Sequence, residues 1–147
     1  MKGIRSHALS LLAVVMVGLL LTVSTSGQNK AKADSSDEGV SGAIEGLVRD
    51  ISCPIQNKAA TATNFNLACA LECAKGGSPL IILTKDGAIY TPISDSMPDK
   101  DQRERLMPFV GKYVKATGQL FEREGTHAIA IKTITEMKEV HLITDAK

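Results

Sequence analysis

Three cysteines carry most of the chemistry in this chain. Cys69 and Cys73 stand four positions apart in "LACALECAKGG", and Cys53 lies upstream in "DISCPIQN". Thiols so placed support three kinds of site. Cys53 can form a disulfide with either downstream cysteine, leaving one thiol over. Three thiolates can hold a soft ion, Cu(I) alone or Zn(II) with a fourth ligand. A free thiol can also exchange with a bridge formed by Cys53, although the usual C-x-x-C spacing is missing. Covalent haem lacks its C-x-x-C-H attachment motif, since Ala74 occupies the place after the second cysteine.

The local structure around Cys69 and Cys73 narrows these choices. "FNLACALECAK" is compatible with a helix over residues 65–75, with Asn64 as its cap and Gly76-Gly77 as its stop. At about 100° per residue, Leu67, Ala70, Leu71 and Ala74 share one side, with Phe65, Cys69, Glu72 and Cys73 on the other. If the Leu/Ala stripe packs on the domain, both thiols face the connector that carries Cys53. They do not bridge each other in a regular helix, where β-carbons at i and i+4 lie about 5–6 Å apart. A disulfide needs roughly 3.5–4.5 Å. A bridge from Cys53 closes a loop of roughly 15–20 residues and contributes on the order of 3 kcal/mol.

A fourth metal ligand has to come from elsewhere. His127 shares parity with Ile129 and Ile131, His141 lies in the tail, and Met97, Met107 and Met137 are soft donors. The simpler reading of His127, just after the turn "EGT", is a solvated imidazole, and that of the methionines is core filling.

The compartment follows from the N-terminus. "MKGIRSHALSLLAVVMVGLLLTVSTSG" places Lys2 and Arg5 ahead of an apolar run from Ala8 to Val23, which has the form of a secretory signal peptide. Cleavage is expected after Ala33 in "AKA", or after Gly27. An uncleaved anchor is the competing reading, because the run approaches the roughly 20 residues of a membrane span. No cysteine follows the run to carry a lipid anchor. Removing residues 1–33 takes four of the 17 basic residues (Lys2, Arg5, Lys30 and Lys32) and none of the 16 acidic ones, leaving a net charge near −3. With aromatics at 3%, this does not describe a nucleic-acid binder. A periplasmic or secreted protein is expected, with no stable membrane insertion after cleavage. Export also favours oxidised or metal-held thiols.

The elements that position the thiols are mostly strands. Residues 34–41 are expected as a disordered linker, residues 42–138 as the domain, and residues 139–147 as a C-terminal extension. "GAIEGLVRDIS" sets Ile44, Gly46 and Val48 against Glu45, Leu47 and Arg49, a plausible first strand ended by Cys53-Pro54. "LIILTKDGAIYT" is a hairpin turning at Lys85-Asp86-Gly87. A short second helix is expected in "SDSMPDKDQRERLMPF", capped by Asp95 or Ser96, with Pro98 early and Pro108 limiting it. In a second hairpin Val114, Ala116, Gly118 and Leu120 alternate, "REGT" turns, and Ile129, Ile131 and Ile134 return.

The stretch "FVGKYVKATGQLFEREGTHAIAIKTI", residues 109–134, resembles the final hairpin of small exported OB-fold domains, and "GAIEGLVRD" resembles their first strand. The resemblance implies a five-stranded barrel with a helix between the third and fourth strands. The fold class expected is therefore mainly β with two short helices, an OB-like barrel carrying an extra helix between strands 1 and 2. The generic fold does not require that cysteine-bearing helix, and fold alone does not assign function. "PDKDQRER" is a solvated helix face. "KGG" and "KDG" lack the order of a phosphate loop, and no paired carboxylates or Ser/His/Asp set can be assembled by spacing. The chain reads as a binding or interaction module for a protein or small ligand of the cell envelope rather than as an enzyme. Its candidate site is Cys53, Cys69 and Cys73, with copper or zinc as the candidate metal and His127 as a further candidate ligand.

Overall fold

A computed structural model describes residues 39–146. The expected leader and residues 34–38 of the expected linker lie outside the described residues.

Strand β1 (Val40–Asp50) begins two residues before the expected domain start, because Val40 and Ser41 already pair with Leu120 and Gln119. Its first part pairs with β4 (Tyr113–Arg123), and its last five residues pair with β2 (Leu80–Thr84). Gly46 sits where the two pairings overlap. A β-carbon there would lie 2.5 Å from the Leu83 carbonyl oxygen, so only glycine lets the strands approach this closely. β2 turns at Lys85-Asp86-Gly87 into β3 (Ile89–Ile93), as expected. β3 then runs parallel to β5 (Thr126–Glu136), and β5 pairs antiparallel with β4. The order β1-β2-β3-β5-β4 closes on itself, giving a five-stranded barrel of OB-like topology.

Hydrophobic alternation fills the barrel. Ile44, Val48, Ile82, Val114, Ala116, Ile129 and Ile131 form one buried cluster with Leu106 and Val110. Along β5 the inward parity changes between Ile131 and Ile134, and the cause is a bulge. Thr117 opposes Thr133 while Gly118 opposes Ile131, so Lys132 is the extra residue. A β-carbon on Gly118 would stand 2.0 Å from the Ala130 carbonyl oxygen.

Most of the segment between β1 and β2 is built over the outside of these two strands, while Ala74 near its end joins the first cluster. The insertion holds a five-residue helix α1 (Ser52–Gln56), a connector, and helix α2 (Leu67–Lys75). It supplies a second buried cluster in which Ala62, Phe65 and Ala70 cover Leu47, Ile81, Leu83 and Tyr113. β1 and β2 are thus covered on both faces at this end, as the unbroken burial of Gly46–Asp50 and Leu80–Leu83 shows. Leu47 and Arg49 are buried for this reason, although they share the parity of exposed Glu45. The tail folds back on the insertion. Phe65 and Leu67 donate backbone N–H groups to Ile143 and Thr144, and Ile143 donates to Thr63.

The remaining helix is shorter than expected. α3 spans Arg103–Leu106 and continues as a single 3-10 turn, Met107–Phe109, that contains Pro108. Residues 94–100 do not start it, because Ser94 and Asp99 bind each other and close a loop. The Ser94 amide and hydroxyl donate to Asp99 Oδ1 at 2.7 and 2.9 Å, and the Lys100 amide donates to Ser94 Oγ at 3.1 Å. Among the described residues no helix is long and apolar enough to cross a membrane.

The bulge glycine gives a direct test of this packing. Gly118→Ala pushes a methyl group into a backbone carbonyl and should destabilise the domain by about 1–3 kcal/mol in urea unfolding. An unchanged midpoint would mean that β4 and β5 do not approach as described.

Candidate thiol site

Two capping side chains position the two nearest sulfurs in the same way. At the end of β1, Asp50 Oδ2 accepts the Cys53 amide at 2.9 Å. At the start of α2, Asn66 Oδ1 accepts the Cys69 amide at 2.8 Å. Each cysteine thus lies three residues after a side chain that satisfies its own N–H, in the first turn of its helix. The cap of α2 is Asn66, in place of Asn64, and the helix begins at Leu67, in place of Phe65. Phe65 itself is fully buried, not on the thiol face, because its position precedes the helix and its ring fills the second core.

The face assignment of α2 otherwise stands. Ala70 and Ala74 are fully buried, Leu67 and Leu71 pack against the two cores, and Cys69 and Cys73 are partly buried on the other side. There they meet Cys53. The Sγ atoms of Cys53 and Cys69 are 3.1 Å apart, and all three Sγ atoms lie within 4.8 Å of one another. Ser78 ties the supporting pieces together. Its amide donates to the Cys73 carbonyl at 3.0 Å, and its hydroxyl is 3.2 Å from that of Ser52, the residue before Cys53.

The other expected donors stand apart from this group. His127 lies on β5 beside Tyr90, with ring centroids 5.1 Å apart, and is not in the thiol cluster. Met97 is exposed, while Met107 and Met137 pack against the hydrophobic cores. His141 lines a different depression with Lys85 and Glu139.

Two charged residues are buried beside the thiols. Arg49 and Asp50 are 1% and 0% exposed, and Arg49 Nη2 meets Asp50 Oδ1 at 3.3 Å. The Arg49 guanidinium also lies 5.7 Å from the Phe65 ring centroid. The sequence does hold a signal for part of this. Asp50-x-x-Cys53 and Asn66-x-x-Cys69 repeat one capping spacing, and the first would have flagged Asp50 as a structural acid.

The electrostatics of the site favour protonated sulfur. Burial first, then the hydrogen bond with Cys69 and the negative charge of Asp50, push the Cys53 thiol up to about 11. Burial and Asp50 push Cys73 up as well. A thiol held neutral is a poor nucleophile, whereas a bound cation would offset both burial and the carboxylate.

No protein-family model, curated protein or solved structure matches this chain.

The raised Cys53 pKa has two consequences in the reduced, metal-free chain. Iodoacetamide labelling of Cys53 should accelerate with an inflection near pH 11, against 9.0 for an unperturbed thiol. Between those values the folded chain holds the proton that the unfolded chain has lost, so stability should fall as pH rises through the interval. A labelling inflection at or below the unperturbed value would contradict the arrangement.

Proposed function

We propose that this chain is an exported binding module whose site is the Cys53/Cys69/Cys73 cluster, and that the cluster holds a soft cation. The observation that carries this reading is the convergence of three sulfurs, from two separate helical turns, within 4.8 Å of one another. Thiolates about 2.3 Å from a shared ion stand roughly 3.8–4.0 Å apart, so the Cys53–Cys69 contact of 3.1 Å would open by under about 1 Å to admit one. The sulfur-only donor set favours Cu(I); Zn(II) would need a fourth ligand from solvent, a partner or a rearranged side chain. Asp50 lies behind the cluster with its charge partly offset by Arg49. The leader sequence supports export, and a protein or small ligand of the envelope would be the natural source or recipient of the ion.

A second reading rests on one distance. At 3.1 Å, Cys53 and Cys69 are the pair best placed to oxidise, with a closure of about 1 Å to reach a disulfide bond length near 2.05 Å. Cys73 would then be the thiol left over. A role in thiol exchange draws less support, because Cys53 and Cys73 are held protonated and no C-x-x-C is present.

Intact-mass spectrometry of protein made in a bacterial periplasm, with elemental analysis and alkylation, separates the two readings. The metal reading expects near-stoichiometric copper or zinc and three thiols that alkylate only after chelation. It also expects Cys73→Ser to weaken Cu(I) binding at least about tenfold. A metal-free mass two units low, with Cys73 alone alkylated and Cys73→Ser without effect on the other two, would replace it with the disulfide.

A further inference from the structure

Beside the thiols lies a cavity of about 380 Å³, walled by Arg49, Phe65, Cys53, Cys69, Asn57 and Asn64 among others. Its arginine is the unusual part. Arg49 is 1% exposed, and its one polar contact is the 3.3 Å approach of Nη2 to Asp50. Nε and Nη1 are buried and have no hydrogen-bond partner among the described residues. Native proteins satisfy nearly all buried donors, and an exception in a cavity wall points to a missing acceptor.

We propose that this cavity binds a small monocarboxylic acid, its carboxylate taking the free donors of Arg49 as the guanidinium turns toward the cavity. Guanidinium and carboxylate match in planarity and charge, and the charge-assisted hydrogen bonds are strong once water is excluded. A single negative charge suits the site, because Asp50 already half-compensates Arg49 and a dianion would face that carboxylate at close range. The body of the acid fits the remaining wall. The Phe65 ring and the methyl groups of Ala59, Ala60 and Ala146 offer apolar contact, while Asn57 and Asn64 supply amides. Apart from Arg49, at the end of β1, the sequence places this wall in the insertion and the tail, so the cavity forms where the cysteine-bearing addition meets the barrel. The proposal requires Arg49 and the cavity, and it holds whether the thiols carry a metal or a disulfide.

Nuclear magnetic resonance on the full mature chain, labelled with nitrogen-15, tests it through the Arg49 side-chain Nε–H signal. Butyrate and benzoate should shift that signal saturably, together with the Asn57 and Asn64 side-chain amides. Butyramide and benzamide, neutral and of similar shape, should bind at least about tenfold more weakly. Arg49→Lys, which keeps the charge but loses the planar fork, should weaken benzoate comparably. An Arg49 signal unmoved by either acid would overturn the proposal, as would equal binding of acid and amide. Inorganic phosphate displacing benzoate at lower concentration would overturn the assignment to a monocarboxylate. Metal content measured on the same samples reports the thiol reading separately, so either can fail while the other stands.

Discussion

The last two residues of β1 hold this arrangement together. Strand pairing with β2 runs through Asp50, and the chain then leaves the barrel with a carboxylate that is completely buried. A buried charge survives only with partners, and Asp50 has two: the Arg49 guanidinium and the Cys53 amide. The first neutralises it; the second starts the turn that carries Cys53. Breaking the ion pair from one side would strand the other charge, so the end of the strand, the first turn of the insertion and the position of one sulfur are energetically linked. The pair is weak grounds for stability as such, since buried ion pairs often only break even against their desolvation cost. Its consequence here is placement.

Placement then propagates outward. The insertion must cover the outer face of β1 and β2, and it does so with Phe65 and Ala70, while Ala74 reaches the first cluster; this turns the opposite face of α2 toward Cys53. The tail and Ser78 lock the connector and the end of the helix. Two helical turns with matching caps therefore present three thiols to one point. The same burial that organises them raises the pKa of Cys53 and Cys73, so a cation binding there has to displace their protons, and those two thiols are poorly suited to attack on a disulfide.

Much of the barrel was legible because its physics is local. Two hairpins with turn glycines and alternating apolar residues fix four of the five strands, and the cysteine face of α2 follows from helical periodicity. What was not legible depends on tertiary cover. Leu47 and Arg49 share the parity of exposed Glu45 and are buried only because a distant segment lies over them. Phe65 looks helical by composition, yet it precedes the cap. The start of α3 was misplaced because Pro98 and the neighbouring acids resemble a helix start, while the Ser94–Asp99 hydrogen bonds make a loop. His127 could be placed on its strand, but which way its ring faces relative to three cysteines elsewhere is a long-range fact.

The most direct measurement is X-ray absorption at the copper edge on the chain loaded with one Cu(I). Three sulfur neighbours at about 2.3 Å are predicted, with no nitrogen or oxygen in the first shell. Two sulfurs, or a shell completed by imidazole nitrogen, would contradict convergence of Cys53, Cys69 and Cys73 on one ion.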